Sequence, residues 1–460
     1  MGRSMVATFG RHFCGGTLKL RFTTIKPRQA DVFMKMTKHL ISEAGSTRAT
    51  AYQMGNKIVT LDGKTHVVWV DAVAEIRGKT FDHNATSWSE TFNLGTGCDN
   101  HSNPVITADA EGHIHLVYGP HGWWGEWNCG RFIHQVSELP NSMDAWKAED
   151  RNFGYNATYA SMIHTPSGLD CIVYRGGQRP NSFMFQRQRE LGGWTDAQAL
   201  MCQEIPSQYT HWSANIVCDS QGTLYTGGHF YNKDTDKRSP GAAVIKSPDM
   251  GDTWTALDGS NLKTPVTRND EIAVPHEADP DADIRLEGIA IDGNDELWIS
   301  TSGGGKGYVS HWQNGWQTYD LGPSIPDNFM ARGGPMTFDA AGGIHLVAMA
   351  PVGLESGEGW FGRDSLEVLH LHSKDSGQTF KCDQISETDP TMASWIPSIS
   401  RAGIHHPVES PAILYTKGNK GDGCSPSDKT EVYCVFTDCT RPNLFRADPG
   451  RIQETASNYN

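Results

Sequence analysis

The chain has 460 residues, a formal charge of −14 at neutral pH, 49 glycines, 14 tryptophans and only 37% hydrophobic residues. That acidity argues against nucleic acid as a partner, and no run of about 18 apolar residues is present to cross a membrane. Abundant glycine and tryptophan exclude a bundle of long amphipathic helices and point to many short strands joined by turns, an all-β fold.

Residues 1–38 mix arginine and lysine with short apolar pieces and show no continuous apolar stretch of a secretion signal. From residue 65 the chain repeats. Alternating apolar strands, usually preceded by an Asp/Gly turn, recur at 65–70, 112–118, 169–174, 222–227, 296–300, 343–347 and 411–415. Their separation of roughly 45 to 75 residues fits one four-stranded blade plus loops, so a single-domain, seven-bladed β-propeller is predicted. Residues 1–50 are expected to join it as an N-terminal segment, 51–439 to form the propeller, and 440–460 to be a polar tail. A second repeat, SPDMGDTW at 247–254 and SKDSGQTF at 373–380, is the Asp-box turn. Its aspartate accepts backbone N–H groups, its glycine takes a positive φ and its aromatic anchors the next strand. RELGGWT at 189–195 and WQNGW at 312–316 are degenerate copies. The turn is structural and specifies no chemistry.

Histidines divide by position. His66, His115 and His345 occupy equivalent places in three repeats, which assigns them to packing or to hydrogen bonds between blades. His101, in NHS, and His121, in GPH, lie outside the alternating strands at one end of the hairpin 106–118 and are candidates for proton transfer. In the next hairpin Tyr159 and Arg175 fall near the end where the two strands align, and an adjacent cation favours a phenolate. Between 175 and 189 stand Arg175, Arg179, Arg187 and Arg189 with no carboxylate, a local excess suited to a bound anion. For Arg187 and Arg189 the alternative is pairing with carboxylates of a neighbouring blade. Around a further hairpin, YTHWSAN at 209–215 and HFY at 229–231 offer Tyr209, Trp212 and Tyr231 for stacking on sugar rings.

The succession CDNHSNPVITADAEGHIHLVYGPH, NATYASM, IVYRGG, FMFQRQ and YTHWSAN resembles the propeller-fold ulvan lyases of the BNR-repeat type over about residues 50–420. The resemblance implies a lyase that cleaves a sulfated, uronate-containing polysaccharide by β-elimination, leaving 4,5-unsaturated uronate ends. By motif, it implies that His101 and Tyr159 exchange the protons and that Arg175 neutralises the uronate carboxylate. His121 and Tyr209 line and orient the site, with Asn100, Arg179, Arg187, Trp212 and Tyr231 as further substrate-binding residues. The chemistry fits those residue types, because removing the C5 proton builds charge on the carboxylate, where an arginine stabilises the transition state. Sequence leaves open which of His101 and Tyr159 is base and which is acid. One departure is the segment 122–152, rich in Trp and Cys. An acidic polysaccharide is the expected partner, with neither nucleic acid nor membrane, for a monomer that is secreted or periplasmic.

Three other readings stand beside this one. A sialidase-like hydrolase needs an arginine triad and a carboxylate beside its tyrosine, and no arginine stands beside Ile-Pro near the start. A glycosidase of the usual kind needs two facing carboxylates, whereas Asp109, Asp219, Asp292 and Asp339 stand in turns where backbone capping explains them. A non-catalytic carbohydrate-binding propeller predicts the aromatics without the His/Tyr/Arg combination. No cofactor is required for the elimination. A structural zinc or calcium ion has candidate ligands in HEADPDAD at 276–283 and in His405 and His406, neither with the spacing of a recognised zinc site. Ten cysteines show no CxxC pair. Cys98 with Cys129 and Cys434 with Cys439 are possible disulfides, buried thiols the alternative.

Overall fold

The computed structural model describes residues 35–119, 121, 123–124, 127–128, 130–147, 153–176, 182–202, 215–230, 241–267, 284–329, 332–352, 366–419 and 430–438. Each predicted repeat is the second strand of one blade: Lys64–Val70, Ile114–Tyr118, Asp170–Gly176, Leu224–Phe230, Leu297–Gly303, Ile344–Pro351 and Ala412–Asn419. Each pairs antiparallel with an inner strand before it and an outer strand after it. The inner strands of blades one to six contact one another in chain order, the inner strand of blade seven packs on Ile344–Pro351 and Leu366–Ser373 of blade six, and blade seven packs back on blade one, so the fold is a seven-bladed β-propeller.

Alternation along the second strands explains the packing. Successive side chains face opposite sides of a blade, and both sides meet a neighbouring blade. Val68 and Val70 of blade one face Ile106 and Leu116 of blade two, while Val67 and Trp69 face Leu414 and Val432 of blade seven. Strand Lys35–Gly45 completes blade seven by pairing with Thr430–Asp438 at the C-terminal end of the described chain. Among the described residues blade four has three strands, with Thr255 bridging Lys246 beside them.

Turn aspartates lock the inner hairpins. Oδ1 of Asp219, Asp292 and Asp339 accepts two backbone amides of its own turn, and Oδ1 of Asp109 accepts the His113 amide. Oδ2 of each faces the ring six residues on: His115, Tyr225, Trp298 and His345, at 3.4, 3.4, 3.1 and 3.1 Å. The aspartates are thereby committed to structure, as their place in turns implied. Both Asp boxes form the same bonds. Asp249 and Asp375 accept from Thr253 and Thr379 through both amide and hydroxyl, and Gly251 and Gly377 take φ of 95° and 80°.

Near the axis, Arg401 ties four parts of the ring together, donating to Ser161 Oγ at 3.0 Å, Asn215 Oδ1 at 2.7 Å and the carbonyls of Gln53 and Met54. Lys57 is fully buried and donates to the Pro104 carbonyl at 3.0 Å. Burial, with Arg401 nearby, lowers its pKa to about 7. Trp395, also fully buried, donates its indole N–H to the Thr47 carbonyl at 2.8 Å and packs with Tyr52, Met54 and Tyr159. Replacing it with alanine is expected to cost about 3–5 kcal/mol in denaturant unfolding. A loss below about 1 kcal/mol would show that this axial cluster does not hold the ring closed.

Candidate active site

Inner strands begin, and second strands end, on one face of the propeller, and there blades two and three bring the predicted pair of motifs together. His101 precedes the inner strand Val105–Ala108 and His121 follows the second strand Ile114–Tyr118. Their rings stack at 3.8 Å, inclined by 14°. Asp99 explains the stacking, because its carboxylate bridges both imidazoles, with Oδ1 3.2 Å from His101 Nδ1 and Oδ2 2.6 Å from His121 Nδ1. Oδ1 also accepts the His101 amide at 2.7 Å. With both Nδ1–H groups donated to Asp99, both Nε2 atoms are left to the open side. The side chains keep 17% and 15% exposure, enough for a ligand to reach them.

Tyr159 and Arg175 stand beside this pair. Thr158 pairs with Arg175 across the strands, and a one-residue bulge between Thr158 and Ser161 puts Tyr159 at φ 58°. That left-handed conformation is unfavourable for a tyrosine and re-aims its ring out of the strand alternation. Inner strands of blades five and seven have the same kind of register shift, so the bulge is available to the fold and blade three uses it for this tyrosine. The ring lies 6.3 Å from His101 and 6.4 Å from His121, with the Arg175 guanidinium 4.3 Å over its face. Tyr52 closes the other side in an edge-on contact at 4.6 Å. Tyr159 and Arg175 are both buried, and a guanidinium on a desolvated aromatic face is held firmly.

Charge at the site favours a neutral imidazole above a fixed carboxylate. Burial dominates for His101, and although Asp99 works against it, the pKa falls to about 4. Burial would raise the pKa of Asp99, but hydrogen bonds from His101 and His121 hold it well below the usual carboxylate range. Arg48 adds a second cation, its Nη1 3.5 Å from His101 Nδ1 and 3.1 Å from Asn100 Oδ1.

The remaining predicted residues divide. Asn100 is buried and commits both ends of its amide, to Arg48 and to Thr47 Oγ1 at 3.2 Å, so it supports the loop under His101. Arg187 lies at the other end of blade three, paired with Asp252 at 2.8 Å and donating to the Met250 carbonyl at 2.6 Å in the Asp box of blade four. The neighbouring-blade alternative therefore holds for it. Arg189 is 3.8 Å from Asp196 in its own blade and exposed. Arg179, Tyr209, Trp212 and Tyr231 lie outside the described residues, as do Cys129, Cys439 and the 276–283 run. Cys434 is a buried thiol. Sequence reading missed Asp99, which had a signal two residues before His101, and Arg48 and Tyr52, which stand in a stretch without repeat pattern.

Four groups of described side chains have ligand atoms close enough to share a metal ion: Asp99, His101 and His121; His115, His134 and Asp170; His370, His372 and Asp383; and Asp292, Glu296 and His311. His405 and His406 belong to none of these. His406 Nε2 meets the Asp109 carbonyl at 2.8 Å, and the His405 ring lies 5.9 Å from that of His164.

Comparison with known proteins places these features in a family. The chain is 23% identical over 150 residues to an ulvan lyase of Nonlabens ulvanivorans and 27% identical over 131 residues to one of Alteromonas sp. strain LOR, stretches that cover 28% and 25% of this chain. The matched stretches span only 32% and 27% of those relatives' lengths. Among solved structures, a PL25 ulvan lyase bound to -[GlcA(1-4)Rha3S]- superposes with a TM-score of 0.63 at 16% identity, covering 85% of this chain and 94% of that one. A second polysaccharide lyase superposes with a TM-score of 0.55 at 12% identity, covering 87% and 99%. The family model described as BNR repeat-containing family member matches residues 64–322, more than half of the sequence, and the chain belongs to that family.

Proposed function

We propose that this protein is a polysaccharide lyase that cleaves an ulvan-like, sulfated and uronate-containing polymer by β-elimination. The observation that carries the reading is the grouping of a neutral histidine, a tyrosine and a buried arginine around one point on one face, in a chain similar over part of its length to ulvan lyases. Arg175 meets the uronate carboxylate, where negative charge grows as the C5 proton leaves, so its attraction is greater in the transition state than in the ground state. His101, unprotonated at neutral pH and held by Asp99 with Nε2 outward, takes the C5 proton. Tyr159, with Arg175 over its ring, is the group that protonates the departing O4. His121, fixed to the same carboxylate and stacked on His101, is a wall that orients the sugar. No cofactor enters these steps. Among the described residues no helix is long and apolar enough to cross a membrane. A polymer of this size is met outside the cytoplasm, so the reading includes export.

Ulvan, pectin, alginate and glycosaminoglycans incubated with the protein separate this reading from a hydrolase or a binding module, because only elimination creates a conjugated double bond with ultraviolet absorbance. Absorbance is expected to rise with ulvan, and no rise with any of the four polymers would refute the lyase. His101→Ala and Tyr159→Phe are each expected to lower kcat by roughly 10²- to 10⁴-fold. Arg175→Ala is expected to lower it by roughly 10²- to 10³-fold. Full activity in His101→Ala would remove the proton-transfer assignment.

The direction of the His101 shift also sets a pH profile. A histidine whose pKa is lowered to about 4 is already the free base at pH 6, so kcat/KM is expected to stay level down to pH 6 and to fall only as the pH approaches 4. An acid limb centred at or above the ordinary histidine value of about 6.5 would contradict it. Asp99→Asn, which loosens both imidazoles, is expected to lower kcat about 10²-fold through misorientation.

A further inference from the structure

The opposite end of blades two and three holds a second histidine centre that the proposed reaction does not use. His115 Nδ1 lies 2.6 Å from Asp170 Oδ2 and 3.2 Å from His134 Nε2, and His134 Nε2 lies 3.3 Å from the same carboxylate oxygen. All three residues are buried, Asp170 completely. Asp170 opens the strand on which Arg175 stands five residues later, which separates this centre from the candidate active site by about 17 Å along the strand.

We propose that His115 Nδ1, His134 Nε2 and Asp170 Oδ2 bind one divalent transition-metal ion of the zinc type, which clamps blade two to blade three. Zinc bonds of about 2.0–2.1 Å in a tetrahedron require ligand atoms about 3.3–3.4 Å apart. The two edges to His134 Nε2, at 3.2 and 3.3 Å, already match. The third, at 2.6 Å, has to open by about 0.7 Å, and a water molecule completes the tetrahedron. Two imidazoles and one carboxylate suit zinc and its neighbours rather than calcium, which takes six to eight oxygens.

Surrounding bonds orient two of these ligands as metal ligands are oriented elsewhere. Asp109 Oδ2 faces His115 Nε2 at 3.4 Å, so Nδ1 is the ring nitrogen turned toward Asp170 and His134, and the ion would take the place of its proton. His164 Nδ1 donates to the other oxygen of Asp170 at 2.9 Å, leaving Oδ2 for the ion. Among the described residues the ion-pair partners of Asp170 are His115, His134 and His164, so a bound cation would replace the imidazole proton that otherwise balances this buried carboxylate. Blade six supplies an internal comparison. There His345 repeats the geometry of His115, with Nε2 3.1 Å from the turn aspartate Asp339 and Nδ1 3.0 Å from His370 Nε2, yet the set with ligand geometry contains no carboxylate from the next blade. Asp170 is what blade three adds to a shared hydrogen-bonded pair.

Metal analysis of untagged, full-length protein tests the site without any assay of the lyase. About one zinc per chain is expected. His134→Gln and Asp170→Asn should each lose it, while His101→Ala and His370→Ala keep it. A chelator should lower the thermal midpoint of the wild-type protein and leave that of Asp170→Asn unchanged. If either variant fails to fold, the wild-type zinc content and chelator response decide alone. Protein that carries no metal and takes up none on titration with zinc ions would overturn the assignment, and so would zinc that survives in Asp170→Asn or disappears in His101→Ala.

Discussion

Mutual burial of neighbouring blades is the constraint on which everything else rests. A three- or four-stranded sheet with apolar side chains on both faces cannot leave either face in water, and the apolar contribution, about 25 cal/mol per Å² buried, is realised only when a neighbour covers each side. Val67 and Val68 show this within one strand, the first facing blade seven and the second facing blade two. Closure is therefore cooperative, and pairing Lys35–Gly45 with Thr430–Asp438 joins distant parts of the chain in blade seven. Arg401 and Lys57 add polar ties near the axis, where donors from one blade or loop reach acceptors of others.

Ring closure also sorts chemistry onto two faces. Tight turns and their aspartates occupy one end of the inner hairpins and are satisfied by local bonds. The other end carries the strand starts, the bulge at Tyr159 and the loops around His101 and His121. The proposed catalytic groups there sit on a rigid scaffold, and each is held by a neighbouring side chain: Asp99 for both imidazoles, Arg175 and Tyr52 for the phenol ring. Two arginines, Arg48 and Arg175, give this face a local positive charge in a chain of net charge −14, which suits a polyanionic ligand approaching an otherwise repulsive surface.

The same residue type serves different ends according to its neighbours. His115 and His345 occupy equivalent positions and share the bond to a turn aspartate, as Tyr225 and Trp298 do in other blades. His66 instead bonds Thr80 and, from the next blade, Asn141. The expectation that strand histidines make hydrogen bonds between blades describes His66 and His115 well. It could not anticipate that Asp170 would converge on His115 and His134, because residues 55 and 36 positions apart meet only when blades two and three pack.

Sequence by itself determined the number of blades, since the period of apolar alternation and the Asp/Gly turns are local properties written out seven times. It also determined the pairing of His101 with His121 and of Tyr159 with Arg175, because each pair brackets one hairpin whose ends must meet. Tertiary structure decided what local pattern does not encode. Arg187 looked like part of an anion site by alternation, yet the carbonyls and carboxylate of an adjoining Asp box claim it. Asn100 stood beside the key histidine in sequence, yet its amide turns inward to Thr47 and Arg48. Both outcomes depend on which side chain of a distant segment arrives opposite, and that is set by blade packing rather than by spacing along the chain.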